Sequence, residues 1–236
     1  MRTLACLALL FATLATTMAV EPAPLTNVFR NLHANEAQTV VVYGTSLTEQ
    51  GPWVAPLQAW FETKYPGKVK VINSGGSGQH SGWGVANVKA KVVDLHPDLV
   101  FIEFAMNDAH VRFKITPEQA LANLDKIVTA VQKGDPQTAI VLQTMNTAID
   151  APGKTAGTDR PKLDVFYANY TGYAAKQHLA LVDNYPAWLK LAKDDAKTFL
   201  TYAPDGLHPN AKGIAAITWP NIEKLLVAAD AAATKR

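Results

Sequence analysis

Four short polar clusters hold the residues of this 236-residue chain best suited to chemistry. They are Gly44-Thr45-Ser46-Leu47-Thr48, Asn73-Ser74-Gly75-Gly76-Ser77-Gly78, Ala105-Met106-Asn107-Asp108 and Asp205-Gly206-Leu207-His208-Pro209-Asn210. A serine hydroxyl such as that of Ser46 is a poor nucleophile until a base takes its proton, and an imidazole held in one tautomer by a carboxylate is the usual base. Asp205 and His208 stand three positions apart on one loop, so the carboxylate can reach the near ring nitrogen while the far one faces Ser46. Acyl transfer passes through a tetrahedral oxyanion, for which the N–H groups of Ser46 and Gly78 and the side-chain amide of Asn107 can supply donors. Loss of one such donor typically raises a barrier by roughly 3 kcal/mol. Each residue also has a plain structural reading: Ser46 as a helix cap, Asp205 as a turn former with Gly206, His208 as a surface histidine, and Asn107 with Asp108 as a turn.

The elements that must position these clusters follow from the hydrophobic pattern. Apolar, β-branched runs at Thr39–Tyr43, Val69–Ile72, Asp98–Ile102, Ala139–Leu142 and Leu179–Val182 predict about five strands of a parallel sheet, alternating with segments of helical period. Helices are expected over Trp53–Tyr65, Trp83–Leu95, Pro117–Lys133, Asp159–His178, Ala187–Lys197 and Asn210–Ala229, with fraying after Leu226. The segment Asn146–Thr158, rich in Gly, Pro and Thr, reads as a surface loop. The fold class is therefore α/β, a three-layer α/β/α sandwich of flavodoxin-like type. In such sheets ligands sit at the carboxyl ends of the strands, and the first three clusters each follow one.

Composition bounds the rest. With 48% hydrophobic and 18% charged residues the chain suits one well-cored domain, and a net charge of +2 gives no field that would draw it to nucleic acid or an acidic membrane. Residues 1–19 read as a signal peptide: Arg2 supplies the positive start, Leu4–Leu14 the apolar stretch, and Thr17-Met18-Ala19 the small-residue cleavage site. Export to the periplasm or the medium is expected, with cleavage near Ala19 and no stable membrane association. The single cysteine, Cys6, would leave with the leader. Residues 20–37 lead into a domain over 38–229, and 230–236 form a tail.

The four clusters, in this order and at this spacing, resemble the SGNH hydrolases, also called the GDSL esterase and lipase family, from Val40 to about Leu226. The resemblance implies a hydrolase of carboxylic esters with Ser46 as nucleophile, Gly78 and Asn107 with Ser46 as oxyanion hole, and Asp205 with His208 completing a catalytic triad, with no cofactor. Two positions depart from the family pattern: Thr45 stands where Asp is usual, and Ala105 where Gly is usual two places before Asn107. Thr45 must take over a local hydrogen-bonding role, and the backbone at Ala105 must suit a residue with a Cβ.

Other chemistries fit less well. The Gly-rich stretch lacks the Lys-Ser/Thr ending of a P-loop, Thr48 breaks the G-x-S-x-G elbow of α/β-hydrolases, and the six histidines show no metal-ligand spacing. For substrate, Trp53, Trp83 and His110 are placed at the mouth of the site. Polar loops and the lack of an apolar lid point to a short acyl group, such as acetyl, on a saccharide or other small polar alcohol, handled by a monomer. The alternatives are a lysophospholipase or acyl-thioesterase for longer chains and, in another class, a non-catalytic carbohydrate-binding module.

Overall fold

The computed structural model describes residues 24–235; the leader read over 1–19, with Cys6, lies outside them. In chain order the elements are α1 (Thr26–His33), β1 (Gln38–Gly44), α2 (Ser46–Glu49), α3 (Val54–Lys64), β2 (Val69–Asn73), α4 (Ser81–Lys91), β3 (Leu99–Glu103), α5 (Ala105–Asp108) and α6 (Pro117–Gly134). Then come β4 (Ala139–Thr144), α7 (Leu163–Lys176), β5 (Ala180–Asp183), α8 (Tyr185–Asp194), α9 (Ala196–Tyr202), α10 (Ala211–Gly213) and α11 (Trp219–Ala233). The five strands form one parallel sheet in the order β2-β1-β3-β4-β5. β3 and β4 are buried at every position and β1 nearly so, which is why they read as continuous apolar runs rather than alternating ones.

Three segments depart from the sequence reading. The segment 20–37 carries α1, whose Val28, Phe29 and Leu32 are buried; Phe29 packs against Trp60, Phe61 and Tyr65. The helix expected over Ala187–Lys197 is two, because the Asp195 side chain accepts from the Thr198 N–H and caps a new start. The chain end does not fray after Leu226: α11 runs to Ala233, Ala229 is buried, and the Asp230 carboxylate receives the His33 ring (2.8 Å) and the Tyr65 hydroxyl (2.6 Å).

The strand order decides where a site can form. The chain leaves β1 for β2 on one side and returns to place β3 on the other, so the carboxyl ends of β1 and β3 flank the switch point where open α/β sheets bind ligands. Gly44 and Glu103 pair there in register. The Glu103 carboxylate is 2% exposed and accepts from the Thr45 N–H (2.6 Å), the Thr45 hydroxyl (3.0 Å) and the Thr48 hydroxyl (2.7 Å). A Cβ on Gly44 would come within 2.2 Å of a Glu103 carboxylate oxygen, so the strand must end in glycine for the carboxylate to reach the turn. On β3's far side the Tyr170 hydroxyl receives the Phe104 N–H (2.8 Å), which sets the start of α5.

Burial pushes Glu103 up to about 7, against the hydrogen bonds from Thr48 and Thr45. The folded state therefore holds this proton to higher pH than the unfolded chain, and stability falls as pH rises from about 4.5 to about 7. Glu103→Gln, with no proton to lose, is expected to remove a pH-dependent loss on the order of 3 kcal/mol. Urea unfolding of both proteins at pH 4.5 and 7.5 checks this; an equal fall in wild type and variant contradicts it.

Candidate active site

Thr45, not Ser46, caps α2: its hydroxyl oxygen accepts from the Leu47 N–H (3.1 Å) while its proton goes to Glu103. This is how the departure from the family's Asp is met. Ser46 is thereby free at the first helical position, and its Oγ lies 2.9 Å from Nε2 of His208. Nδ1 of His208 lies 2.6 Å from Oδ2 of Asp205, while Oδ1 of Asp205 accepts the N–H groups of Leu207 (3.0 Å) and His208 (2.7 Å). Burial pushes the Asp205 carboxyl up, but the bonds from the His208 ring and these two N–H groups outweigh it and hold the group below its ordinary value. A carboxylate that stays ionised fixes the imidazole with its proton on Nδ1 and its lone pair toward Ser46.

The loop that carries this pair is clamped from the end of β4. Gly206 has φ +77°, and a Cβ there would meet the Ile149 carbonyl oxygen at 2.0 Å, so no other residue fits the turn. The Ile149 N–H donates to the Gly206 carbonyl (3.0 Å) and the Asn146 amide to that of Leu207 (2.7 Å). Asn210 caps α10 and its amide holds the Thr201 carbonyl, closing the loop from the other side.

Across from His208 lie the candidate oxyanion donors. Gly78 has φ +72°, a conformation that side chains rarely adopt. Asn107 sits on α5, buried, with one amide proton on the Gln79 carbonyl (2.7 Å), which ties the Gly78 loop to α5 and leaves the second proton available. Among the described residues, neither the Ser46 nor the Gly78 N–H has a protein acceptor. Beneath them the Asp108 carboxylate receives the Ser81 N–H (2.8 Å) at the head of α4. Ala105 is buried within α5 with ordinary helical geometry, so its extra methyl is accommodated.

Ser46, Asp205 and His208 open into a cavity of about 470 Å³ also lined by Gly78, Asn107 and His110. The His110 ring packs against Phe113; burial, then the nearby Arg160 and Arg112 cations, pull it below its ordinary value. The two tryptophans do not line the cavity. Trp53 is 1% exposed, its ring against Phe101 and its Nε1 donating to the Leu47 carbonyl (2.8 Å): it is a prop beneath the Ser46 turn. Trp83 packs on Tyr43 and Phe104 as a half-buried wedge between α4 and the sheet. In their place the cavity takes Gln50, one of the polar loop residues expected there, and Arg112, Lys154 and Arg160, which the sequence did not single out. The segment read as a surface loop buries Ala151 and Ala156 and forms one wall; its position just after the carboxyl end of β4 was the available signal. A second, smaller cleft of about 100 Å³ adjoins Ser46 and His208, walled by Leu47, Pro52, Met145, Pro209 and Ile214. Among the described residues no three His, Cys, Asp or Glu side chains are grouped to hold a metal ion, and no helix is long and apolar enough to cross a membrane.

Comparison with known proteins agrees with this fold. The chain resembles, in fold, a two-domain esterase active on acetylated mannans (TM-score 0.71, 21% identity, covering 90% of this chain and 54% of that one). It is similar to an acetylxylan esterase of Geobacillus stearothermophilus (TM-score 0.68, 19% identity, 81% and 94% covered) and to a lipase/acylhydrolase of Enterococcus faecalis (TM-score 0.60, 21% identity, 81% and 94% covered). No curated protein matches the sequence significantly. The family model for the GDSL-like lipases and acylhydrolases matches residues 19–216, most of the chain. With the parallel five-stranded sheet and the four polar clusters on one edge of it, the chain belongs to the GDSL-like lipase/acylhydrolase family.

Proposed function

We propose that the protein is an exported serine esterase that removes short acyl groups, acetyl above all, from saccharides through an acyl-enzyme. The observation that carries the mechanism is the unbroken chain Ser46 Oγ, His208, Asp205 at 2.9 and 2.6 Å. His208 Nε2 takes the Ser46 proton as Oγ attacks the ester carbonyl carbon. The carbonyl oxygen becomes an oxyanion and receives the Ser46 and Gly78 N–H groups and the free Asn107 amide proton. Collapse breaks the bond to the alcohol oxygen, which takes the proton from His208. Water then repeats the sequence on the acyl-serine, releasing the acid and restoring Ser46.

The two spaces beside Ser46 support the substrate reading. The smaller cleft has a mainly apolar wall and, at about 100 Å³, is well below the roughly 300 Å³ or more of a pocket for a larger ligand, which suits an acetyl group better than an extended chain. The larger one is lined mainly by residues with polar side chains, Ala156 and Leu207 being the apolar ones, which suits a hydroxyl-rich alcohol. Export rests on the leader-like residues 1–19.

Ser46→Ala is expected to lower kcat/KM on p-nitrophenyl acetate by about 10³-fold or more with unchanged folding, His208→Ala by a similar factor, and the double variant by little beyond either. Stopped-time hydrolysis assays with circular dichroism of each variant read this; half the wild-type rate in Ser46→Ala defeats the assignment. In an acyl series on one alcohol, kcat/KM is expected to fall from acetyl to octanoyl. A tenfold preference for octanoyl would replace the saccharide reading with a lipid one.

A further inference from the structure

The larger cleft is lopsided in charge although the whole chain is nearly neutral. Arg112, Lys154 and Arg160 line it, against Asp159 and the Asp205 that orients His208. None of the three cations has a carboxylate within 4 Å among the described residues, where the ion pairs lie elsewhere. Asp159 is already engaged: it accepts from the Thr155 hydroxyl (2.8 Å) and lies 3.9 Å from the His110 ring.

Arg160 is the telling member. It is only 6% exposed, and burying a cation with no carboxylate in direct contact is costly; Asp159 and Asp205 act on it only from beyond 4 Å. Its Nε and Nη1 are held by the carbonyls of Met106 (2.9 Å) and Ala156 (3.0 Å), which orient the guanidinium without neutralising it. Nη2 has no protein acceptor among the described residues. Arg112 lines the same cleft, its guanidinium lying 4.5 Å over the Phe113 ring and its Nη2 within 3.9 Å of where a Cβ on Gly78 would be. A cation is thus parked beside a candidate oxyanion donor, and Lys154 overhangs from the exposed loop after β4. Two planar guanidinium forks lining one cleft suit a carboxylate or phosphate as their ligand.

We propose that the alcohol part of the substrate is an anionic saccharide, with a carboxylate or phosphate that Arg112, Lys154 and Arg160 receive while its ester meets Ser46. This rests on the esterase reading above and narrows it. It also gives the cleft a reason to keep three unpaired cations, which a neutral glycan would not require.

The test compares an oligogalacturonide with the same oligomer methyl-esterified at its carboxylates, which keeps the sugar and removes the charge. Calorimetric binding of the unacetylated oligomers to the wild-type protein is read first, because it needs no turnover. Binding about tenfold or more tighter for the charged oligomer, weakened by added salt, is expected. Arg112→Gln and Lys154→Gln should each shrink that ratio, and together shrink it further, leaving the residual preference that Arg160 supplies. Equal affinity for both oligomers overturns the proposal. Turnover of the acetylated oligomers and of p-nitrophenyl acetate is read alongside: no hydrolysis of any ester overturns the esterase reading, independently of the binding ratio. An acetylated hexose phosphate and an anionic lysophospholipid complete the series. A preference for the hexose phosphate keeps the proposal and names phosphate as the anion, whereas a preference for the lysophospholipid overturns it in favour of a lipid headgroup.

Discussion

Everything at this site hangs on a carboxylate that never meets the substrate. Glu103 ends β3 beside Gly44 at the end of β1, out of solvent, and takes three donors from the turn that carries Ser46. Because Glu103 holds both Thr45 and Thr48, Thr45 is fixed as the cap of α2 and Ser46 is left with its hydroxyl unoccupied by backbone. The constraint works in both directions. Only a glycine at position 44 lets the carboxylate come so close, and only the carboxylate gathers the Thr45 N–H and two hydroxyls into one grip. The usual Asp of the family at position 45 would bring a second negative charge to Glu103, and like charges in a buried space repel. The threonine donates where an aspartate could only accept, which makes the departure and the buried glutamate two halves of one arrangement.

The rest of the site is built by other strands against that fixed point. β3 leads through Tyr170-anchored Phe104 into α5 and so places Asn107, which in turn ties down the loop carrying Gly78. β4 leads into Asn146 and Ile149, which clamp the turn at Gly206 and bring His208 to Ser46 from the other side. Trp53 supports the Ser46 turn from beneath by its bond to the Leu47 carbonyl. Because each arm is tied by hydrogen bonds between side chains and backbone just past the strand ends, Ser46, His208 and Asp205 are held at their distances by the protein itself, as preorganised catalysis requires.

Much of this was legible in the residues, for identifiable reasons. Buried parallel strands announce themselves as unbroken apolar runs, and Asp205 and His208 are local to each other, so spacing alone relates them. What escaped was set by contacts between distant segments. The helix α1 is short, and its buried face exists only because α11 packs on it and Trp60 receives Phe29. Trp53 and Trp83 stand beside site loops in sequence, but nothing local says that a ring turns inward to prop the sheet rather than outward to a substrate. The cleft wall combines Arg112 with Lys154 and Arg160, contributed by loops after two different strands, and only the β1-β3-β4 order puts them around one space. Glu103, one place past the apolar run Asp98–Ile102, carried no signal of its own, its role hidden until Gly44 was paired opposite it.

The most direct measurement is covalent: reaction of the folded protein with a fluorophosphonate, followed by mass spectrometry of its peptides. Ser46 as an activated nucleophile requires one adduct per chain on the peptide that contains it, and loss of that adduct in His208→Ala at unchanged circular dichroism. A folded wild-type protein that takes up no label at Ser46, or takes it up as readily without His208, would contradict the account.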